Sequence, residues 1–373
     1  MKFTFSDEEE AFRAEVKEFL KDYQDLNGFF DQGHDWPSVR EFFKAMAAKG
    51  YLSVCWPEEY GGLNKSASYE YIVWDEVAYA RCARPPLGPG IVAKTIIRYG
   101  DDEQKKRWLK PLRDGEMHFS LAYSEPEAGS DLASVRCRAE LKGDKYIVNG
   151  QKCWQSYAQD MDYFWLLCRT GTQESRGRGC SLMIVPKDAP GITVAPLPLM
   201  DDDQLNEVFF DNVEIPVNQR IGPENGAWKL MNAALADERH IQFPPSRLRR
   251  DLEDVISWTR DQGLLDDPVV RNTLGDLASQ VLEGEVLGLS VLDAMMRGEH
   301  GVMEAAANKV AQTISCQNIA RAVTEFGGPE SLVKGTLSEL IWRQSMWETI
   351  GGGTSEIMRG VIARNSLGLV AKT

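Results

Sequence analysis

Four short stretches carry side chains able to do chemistry. The loop Ser124-Glu125-Pro126-Glu127-Ala128-Gly129-Ser130-Asp131 offers hydroxyls and backbone N–H groups that can stabilise charge developing on a ligand. Asn149-Gly150-Gln151-Lys152-Cys153-Trp154-Gln155-Ser156 follows it, with an aromatic and a hydroxyl two residues apart. Gly351-Gly352-Gly353-Thr354-Ser355-Glu356-Ile357-Met358-Arg359 reads as a helix N-terminus, whose free N–H groups and hydroxyls can form an anion site. Its plainer alternative is a capped C-terminal helix. Ala236-Asp237-Glu238-Arg239 places two carboxylates on one helix, where either could form an ion pair or act as an acid or base. Helical geometry points Asp237 about 100° away from Glu238.

The common alternatives are absent. No G-x-G-x-x-G opens a helix after a strand, no G-x-x-x-x-G-K-S/T exists, and neither G-x-S-x-G nor H-E-x-x-H appears. Seven cysteines are scattered without a C-x-x-C pair, and the four histidines are not paired at helical spacing. No metal site is expected. The thiols suit a reducing cytoplasm better than a disulfide frame.

The chain has 373 residues and a net charge of −14, which gives no electrostatic pull on a phosphate backbone. Nucleic acid is therefore not an expected partner. A 43% hydrophobic content supports a folded core, and no apolar run approaches a membrane span. The N-terminus shows no basic-then-apolar secretory pattern.

These stretches must be positioned by elements of changing texture. Residues 1–117 read as helices: Ser6 and Glu9 form a capping-box pattern, Trp36-Pro37 starts a helix with Phe42, Phe43 and Met46 as its stripe, and a helix runs from about Ser66 to Cys82. Asp101-Asp102-Glu103 starts another. Residues 118–225 read as short strands: 146–152 running into an Asn-Gly hairpin signal, then 163–169, 180–186, 192–196 and 207–210. That spacing suggests a small barrel or sandwich. From 226 to 373 helical texture returns, interrupted at Pro244-Pro245, with helices about 246–262, 268–296, 302–326 and 336–349 and a last one near Thr354. The expected class is α+β, with helical regions flanking a β-domain.

In this order and texture, the Ser124–Asp131, Asn149–Ser156 and Gly351–Arg359 blocks closely resemble the acyl-CoA dehydrogenase family of flavoproteins. The resemblance covers essentially the whole chain. It implies FAD as cofactor and an acyl-CoA substrate, oxidised to a 2-enoyl-CoA by loss of an α-proton and a β-hydride. Ser124 matches the hydroxyl that meets the flavin carbonyl edge, with Tyr123 and Gly129 in the same loop; Ser130 matches the approach to the acyl-thioester carrier. Trp154 and Ser156 match the W-x-T/S segment, which lays an aromatic over the flavin and a hydroxyl at its N5 edge. Thr354 and Glu356 match the pyrophosphate or ribose contacts. Phe326-Gly327-Gly328 resembles the F-G-G whose backbone meets the adenine half of a neighbouring subunit's FAD. Taken alone, Trp154 would read as a core aromatic and Ser130 as a turn serine.

The resemblance also locates the base. Many members carry it just before G-T-S, and here that position is Gly352. A subset projects Glu from an upstream E-R pair, which Glu238-Arg239 matches. Gly352 would then serve through its backbone N–H on the thioester oxygen, and Arg239 would orient the base or face the CoA. Without the resemblance, Glu238 would read as an ordinary ion-paired surface charge. Two departures touch the adenine end: residues 260–268 lack the family's R-x-x-F-G-K, and Thr324 replaces its usual Gln. Both resemble a divergent bacterial branch acting on unusual thioesters such as steroid side chains, in which some members form α2β2 assemblies. The resemblance implies a homotetramer or such a heterotetramer, with electrons passing to an electron-transfer flavoprotein. The alternatives are a weakly catalytic subunit of a heteromeric enzyme, or an oxidase or carrier-protein-linked dehydrogenase on the same fold.

Overall fold

Helix boundaries fall where caps and prolines put them. The computed structural model describes residues 4–26, 35–200, 204–237 and 239–369. Helix α1 (Asp7–Leu20) starts at Ser6, which accepts the Glu9 N–H while the Glu9 carboxylate accepts the Ser6 N–H. Helix α2 (Trp36–Ala48) is capped by Asp35 and buries Val39, Phe42, Phe43 and Met46. Helices α3 (Ala67–Tyr79), α4 (Ala93–Tyr99) and α5 (Asp102–Arg113) follow, the last capped by Asp101. After the strands come α6 (Ala227–Asp237), α7 (Arg239–Gln242), α8 (Ser246–Asp261), α9 (Pro268–Met296), α10 (Val302–Gly327), α11 (Leu337–Ser345) and α12 (Ser355–Leu367). The Pro244-Pro245 pair separates α7 from α8, because proline lacks the N–H a continuing helix needs. The helix expected over 336–349 is shorter: α11 ends at Ser345 and passes into a 3-10 turn, Met346–Thr349.

Among the described residues eight strands form a single sheet: β1 (Phe119–Ala122), β2 (Arg138–Lys142), β3 (Lys145–Lys152), β4 (Tyr163–Arg169), β5 (Cys180–Pro186), β6 (Ile192–Pro198), β7 (Gln204–Pro216) and β8 (Arg220–Ile221). The order is β6-β7-β3-β2-β4-β5-β8, with β1 parallel on β4. Sequence patterning missed β1, β2 and β8. The Asn149-Gly150 hairpin expectation is overturned. That dipeptide lies inside β3, at a register shift against β7. A Cβ at Gly150 would stand 2.7 Å from Cys137 Cα, so backbone crowding demands glycine there. The turn is instead Gly143-Asp144, between the paired Lys142 and Lys145. The expected turn at residues 201–203 lies outside the described residues.

The architecture is N-terminal helices, a middle sheet and C-terminal helices. By packing, the chain divides into two interleaved units: residues 1–32, 65–84 and 239–373, and residues 33–64 and 85–238. The sheet unit has apolar residues on both faces of β4. Trp165 and Leu167 pack with Trp108, Leu112 and Ile184, while Phe164, Leu166 and Cys168 pack with Tyr146, Val148 and Val213. A strand covered on both faces reads as an unbroken apolar run, as residues 163–168 do. The helical unit centres on α8 to α11. Its α3 is buried nearly all round, and its carboxylates are paired: Glu76 with Arg13 at 2.5 Å and Glu70 with His240 at 3.0 Å. The apolar run at the end of α9 splits between Val281, Val291 and Leu292, which are buried, and Leu282, Val286 and Met296, which are exposed.

Candidate active site

In the sheet unit, the 124–131 loop leaves the end of β1 and folds back on itself. Glu125 and Ala128 exchange backbone hydrogen bonds at 3.2 and 3.0 Å around Pro126-Glu127. The Glu125 carboxylate turns inward, where it accepts the N–H groups of Arg136 (2.6 Å) and Cys137 (2.9 Å) and the ammonium of Lys152 (2.8 Å). Lys152 also donates to the Tyr123 carbonyl at 2.9 Å. Lys152 is fully buried at the end of β3. One ion pair thus joins the loop to the strand that carries the second block.

The second block leaves β3 under two backbone anchors. Cys153 N–H donates to the Ser124 carbonyl at 3.0 Å, and Gln155 N–H donates to the Asn206 carbonyl at 2.9 Å. Between them Trp154 adopts φ +60°, a left-handed conformation that costs a non-glycine residue about 1–2 kcal/mol. Its indole remains 48% exposed. A Cβ at Gly129 would stand 3.9 Å from the Trp154 ring, which brings the two blocks into one patch. The hydroxyls of Ser124 and Ser156 make no hydrogen bond among the described residues, although their carbonyls do: the Ser156 carbonyl accepts Ser120 Oγ at 2.8 Å. Ser130 is exposed, and its neighbour Asp131 pairs with Arg176 at 2.5 Å.

The helical unit carries the other candidates. Glu238 lies outside the described residues. Arg239 opens α7. Thr354 caps α12, its hydroxyl accepting the Ile357 N–H at 3.2 Å, and Glu356 is exposed in the first turn. The triglycine before it is partly exposed, and apolar side chains approach each glycine on its Cβ side. A Cβ at Gly351 would stand 2.9 Å from the Trp347 ring, one at Gly352 would stand 2.8 Å from Phe243 Cζ, and one at Gly353 would collide with Met358 Cε. Gly352 has φ +68°, so a side chain there would be strained and would press on the Phe243 ring. No carboxylate base could be seated at 352 in this packing. Gly327 closes on Ser331 and Trp258, whereas Gly328, at φ +58°, faces open space. Thr324 bonds within its own helix and lines a cleft of about 420 Å³ with Arg321, Trp342 and Met346.

Sequence reasoning missed Glu125, Lys152 and Phe243. Lys152 had a signal: it falls on the inward side of β3 with Tyr146 and Val148, and a lysine facing a core requires a buried partner. Phe243 had none.

Comparison with known proteins places this geometry. The acyl-CoA dehydrogenase N-terminal, middle and C-terminal domain models match residues 6–116, 120–213 and 225–367. The chain is 33% identical to the acyl-CoA dehydrogenase FadE26 of Mycobacterium tuberculosis, over 99% of both chains. It is 32% identical to FadE29 of the same organism, over 96% of both. Among solved structures it superimposes on the Tcur3481-Tcur3483 steroid ACAD with a TM-score of 0.92 and 31% identity, each chain fully covered. It matches the ChsE4-ChsE5 complex of Mycobacterium tuberculosis with a TM-score of 0.89 and 31% identity, again over the full length of both. With its sheet-borne serine and tryptophan patch and its triglycine helix start, this chain belongs to the acyl-CoA dehydrogenase family.

Proposed function

We propose that the chain is the catalytic subunit of an FAD-dependent acyl-CoA dehydrogenase acting on a bulky, ring-bearing thioester. The family reaction is the dehydrogenation of an acyl-CoA. Two serine hydroxyls without partners among the described residues, beside a half-exposed indole held in a strained backbone, carry the reading. They fit the polar edge and the face of a flavin ring, because they are donors and an aromatic surface that the folded chain does not itself use. FAD, when bound, supplies a two-electron acceptor that takes the β-hydrogen as hydride.

Residues of the chain do the rest. Glu238 takes the α-proton onto its carboxylate while the α–β bond gains its second electron pair. The Gly352 N–H donates to the thioester oxygen, where enolate-like charge builds. Ser124 and Ser156 orient the ring's polar edge, with Tyr123 and Gly129 shaping the loop. Ser130 and Arg239 serve the CoA, and Thr354, Glu356, Gly327 and Gly328 serve the nucleotide half of the cofactor. The product is a 2-enoyl-CoA, and the two electrons leave to an external acceptor of the electron-transfer flavoprotein type. The domain division at 117/118 and 225/226 goes with this assignment.

Purification with flavin quantified per chain tests the reading. Bleaching of the visible flavin band by an acyl-CoA under anaerobic conditions supports it; a flavin-loaded protein that no acyl-CoA panel bleaches overturns it.

An assembly with an unlike chain is the second proposal. The relatives named Tcur3481-Tcur3483 and ChsE4-ChsE5 each join two names, and the latter is titled a complex. The altered Thr324 and the exposed Leu282, Val286 and Met296 of α9 agree with a partner subunit completing the adenine end and covering that face. Native mass measurement after co-expression with a dehydrogenase-like neighbour decides between this and a homotetramer. No described helix is long and apolar enough to cross a membrane, and a cytoplasmic enzyme is the setting we propose.

A further inference from the structure

We propose that Phe243 is a specificity-determining residue, whose ring takes the space a side chain at 352 would fill and so sets how much acyl bulk the site admits. This rests on the dehydrogenase reading for one statement only, that Gly352 borders the acyl group. The contact itself is in the structure: Phe243 Cζ lies 2.8 Å from where a Gly352 Cβ would stand.

One helix holds both sides of the contact. Asn308 Nδ2 and Gln312 Nε2 donate to the Phe243 carbonyl at 3.3 and 2.6 Å. Lys309 Nζ and Thr313 Oγ1 donate to the Glu348 carbonyl, just before the triglycine, at 2.6 and 3.2 Å. These are adjacent i,i+4 pairs of α10, and all four side chains are buried. Burial pulls the Lys309 ammonium below its usual pKa. A desolvated ammonium is spent on a backbone carbonyl, as expected where the position of that backbone matters. The Glu348 carboxylate is itself held by Arg247 at 2.6 Å.

Phe243 cannot step aside. Pro244 and Pro245 follow it, fixing φ for two residues and restricting the backbone of Phe243 as well. Pro245 packs where a Cβ at Gly288 of α9 would stand 3.4 Å away. The backbone that carries the ring is therefore held, and the ring stands as a wall over Gly352. Shortening it opens volume directly over Gly352, and lengthening residue 352 closes it.

The test uses the flavin-loaded protein, with any chain that co-purifies. Two non-reactive CoA thioethers are titrated, one with a butyl chain and one with a fused-ring group, and kcat/KM is measured for the matching thioesters. Phe243→Ala should shift the ring-to-butyl affinity ratio toward the ring by about tenfold or more, with Phe243→Leu between, since pocket discrimination of this order follows from a few carbons of space. A ratio unchanged within about twofold, in a variant keeping its flavin and melting temperature, overturns the proposal. Should Phe243→Ala not fold, Gly352→Ala serves: it should lower ring-thioether affinity, and Phe243→Leu added to it should restore that affinity. Strict additivity of the two changes overturns the proposal. A shifted ratio without any flavin bleaching would overturn the dehydrogenase reading and leave the wall standing. Normal bleaching with an unmoved ratio would do the reverse.

Discussion

Lys152 Nζ lies 2.8 Å from Glu125 Oε1 and 2.9 Å from the Tyr123 carbonyl, with no path to water from the lysine side. The pair ties the serine loop to the strand end that presents Trp154. Lys152→Met strands a buried carboxylate and should cost about 3–5 kcal/mol of stability. Lys152→Met with Glu125→Gln should recover part of that loss, because no uncompensated charge remains. Urea unfolding of the three proteins checks this, and flavin content should fall in the single variant more than in the double. Equal losses in both would mean that charge compensation is not what the pair provides.

Trp154 offers a test of strain held for a ligand. Trp154→Gly removes the left-handed penalty but also the buried half of the indole, two contributions of similar size, so stability should fall by no more than about 1–2 kcal/mol. FAD retention should nevertheless drop sharply. A variant that loses more stability than that and keeps its flavin would show that the indole serves packing instead.

His118 makes stability depend on pH. Burial, with Arg40 nearby, pushes its pKa down from the usual 6.5 to about 4. Its ring packs against Phe43, with centroids 5.6 Å apart, while the residue's backbone N–H donates to the Asp162 carboxylate. The folded chain thus binds fewer protons than the unfolded chain between those values. Its contribution is whole above about pH 6.5, is lost as pH falls toward 4, and amounts to about 3 kcal/mol. Denaturant midpoints at several pH values should fall across that window, and His118→Phe should flatten this part of the slope.

Glu238→Gln should keep its flavin and its affinity for acyl-CoA but lose bleaching by substrate, by about 10²–10⁴-fold in rate. Unchanged turnover would move the base elsewhere. The triglycine is not the alternative, because it carries no side chain to take a proton. Asp237 would be the next residue to replace.

What could be read in advance followed from locality. The Ser6–Glu9 box and the helix start at Thr354 each lie within a few residues of the boundary they set, and those two helices start where expected. Ser124, Trp154 and Ser156 sit in short blocks, and the structure joins the two blocks through the Cys153–Ser124 backbone bond. Asn149-Gly150 misled because the same dipeptide serves a tight turn and a bulge equally well. The choice is made by β7 and by Cys137, neither of them a neighbour in sequence. Phe243 over Gly352 was invisible for a stronger reason. A steric fit between distant residues leaves no periodicity and no spacing, only a volume that exists after folding.

The interleaving of the two units bears on how the chain is made. Helices α1 and α3 are synthesised early, yet they complete their unit only with residues after 239. The sheet unit, by contrast, has all its residues by 238. During synthesis the sheet unit can close first, while the acidic, largely apolar α3 waits for α7 and α8 to supply His240 and the Ser246 N–H to its carboxylates. That interval exposes an unpaired core helix to any chaperone or neighbouring nascent chain, and it ends only when the C-terminal helices emerge.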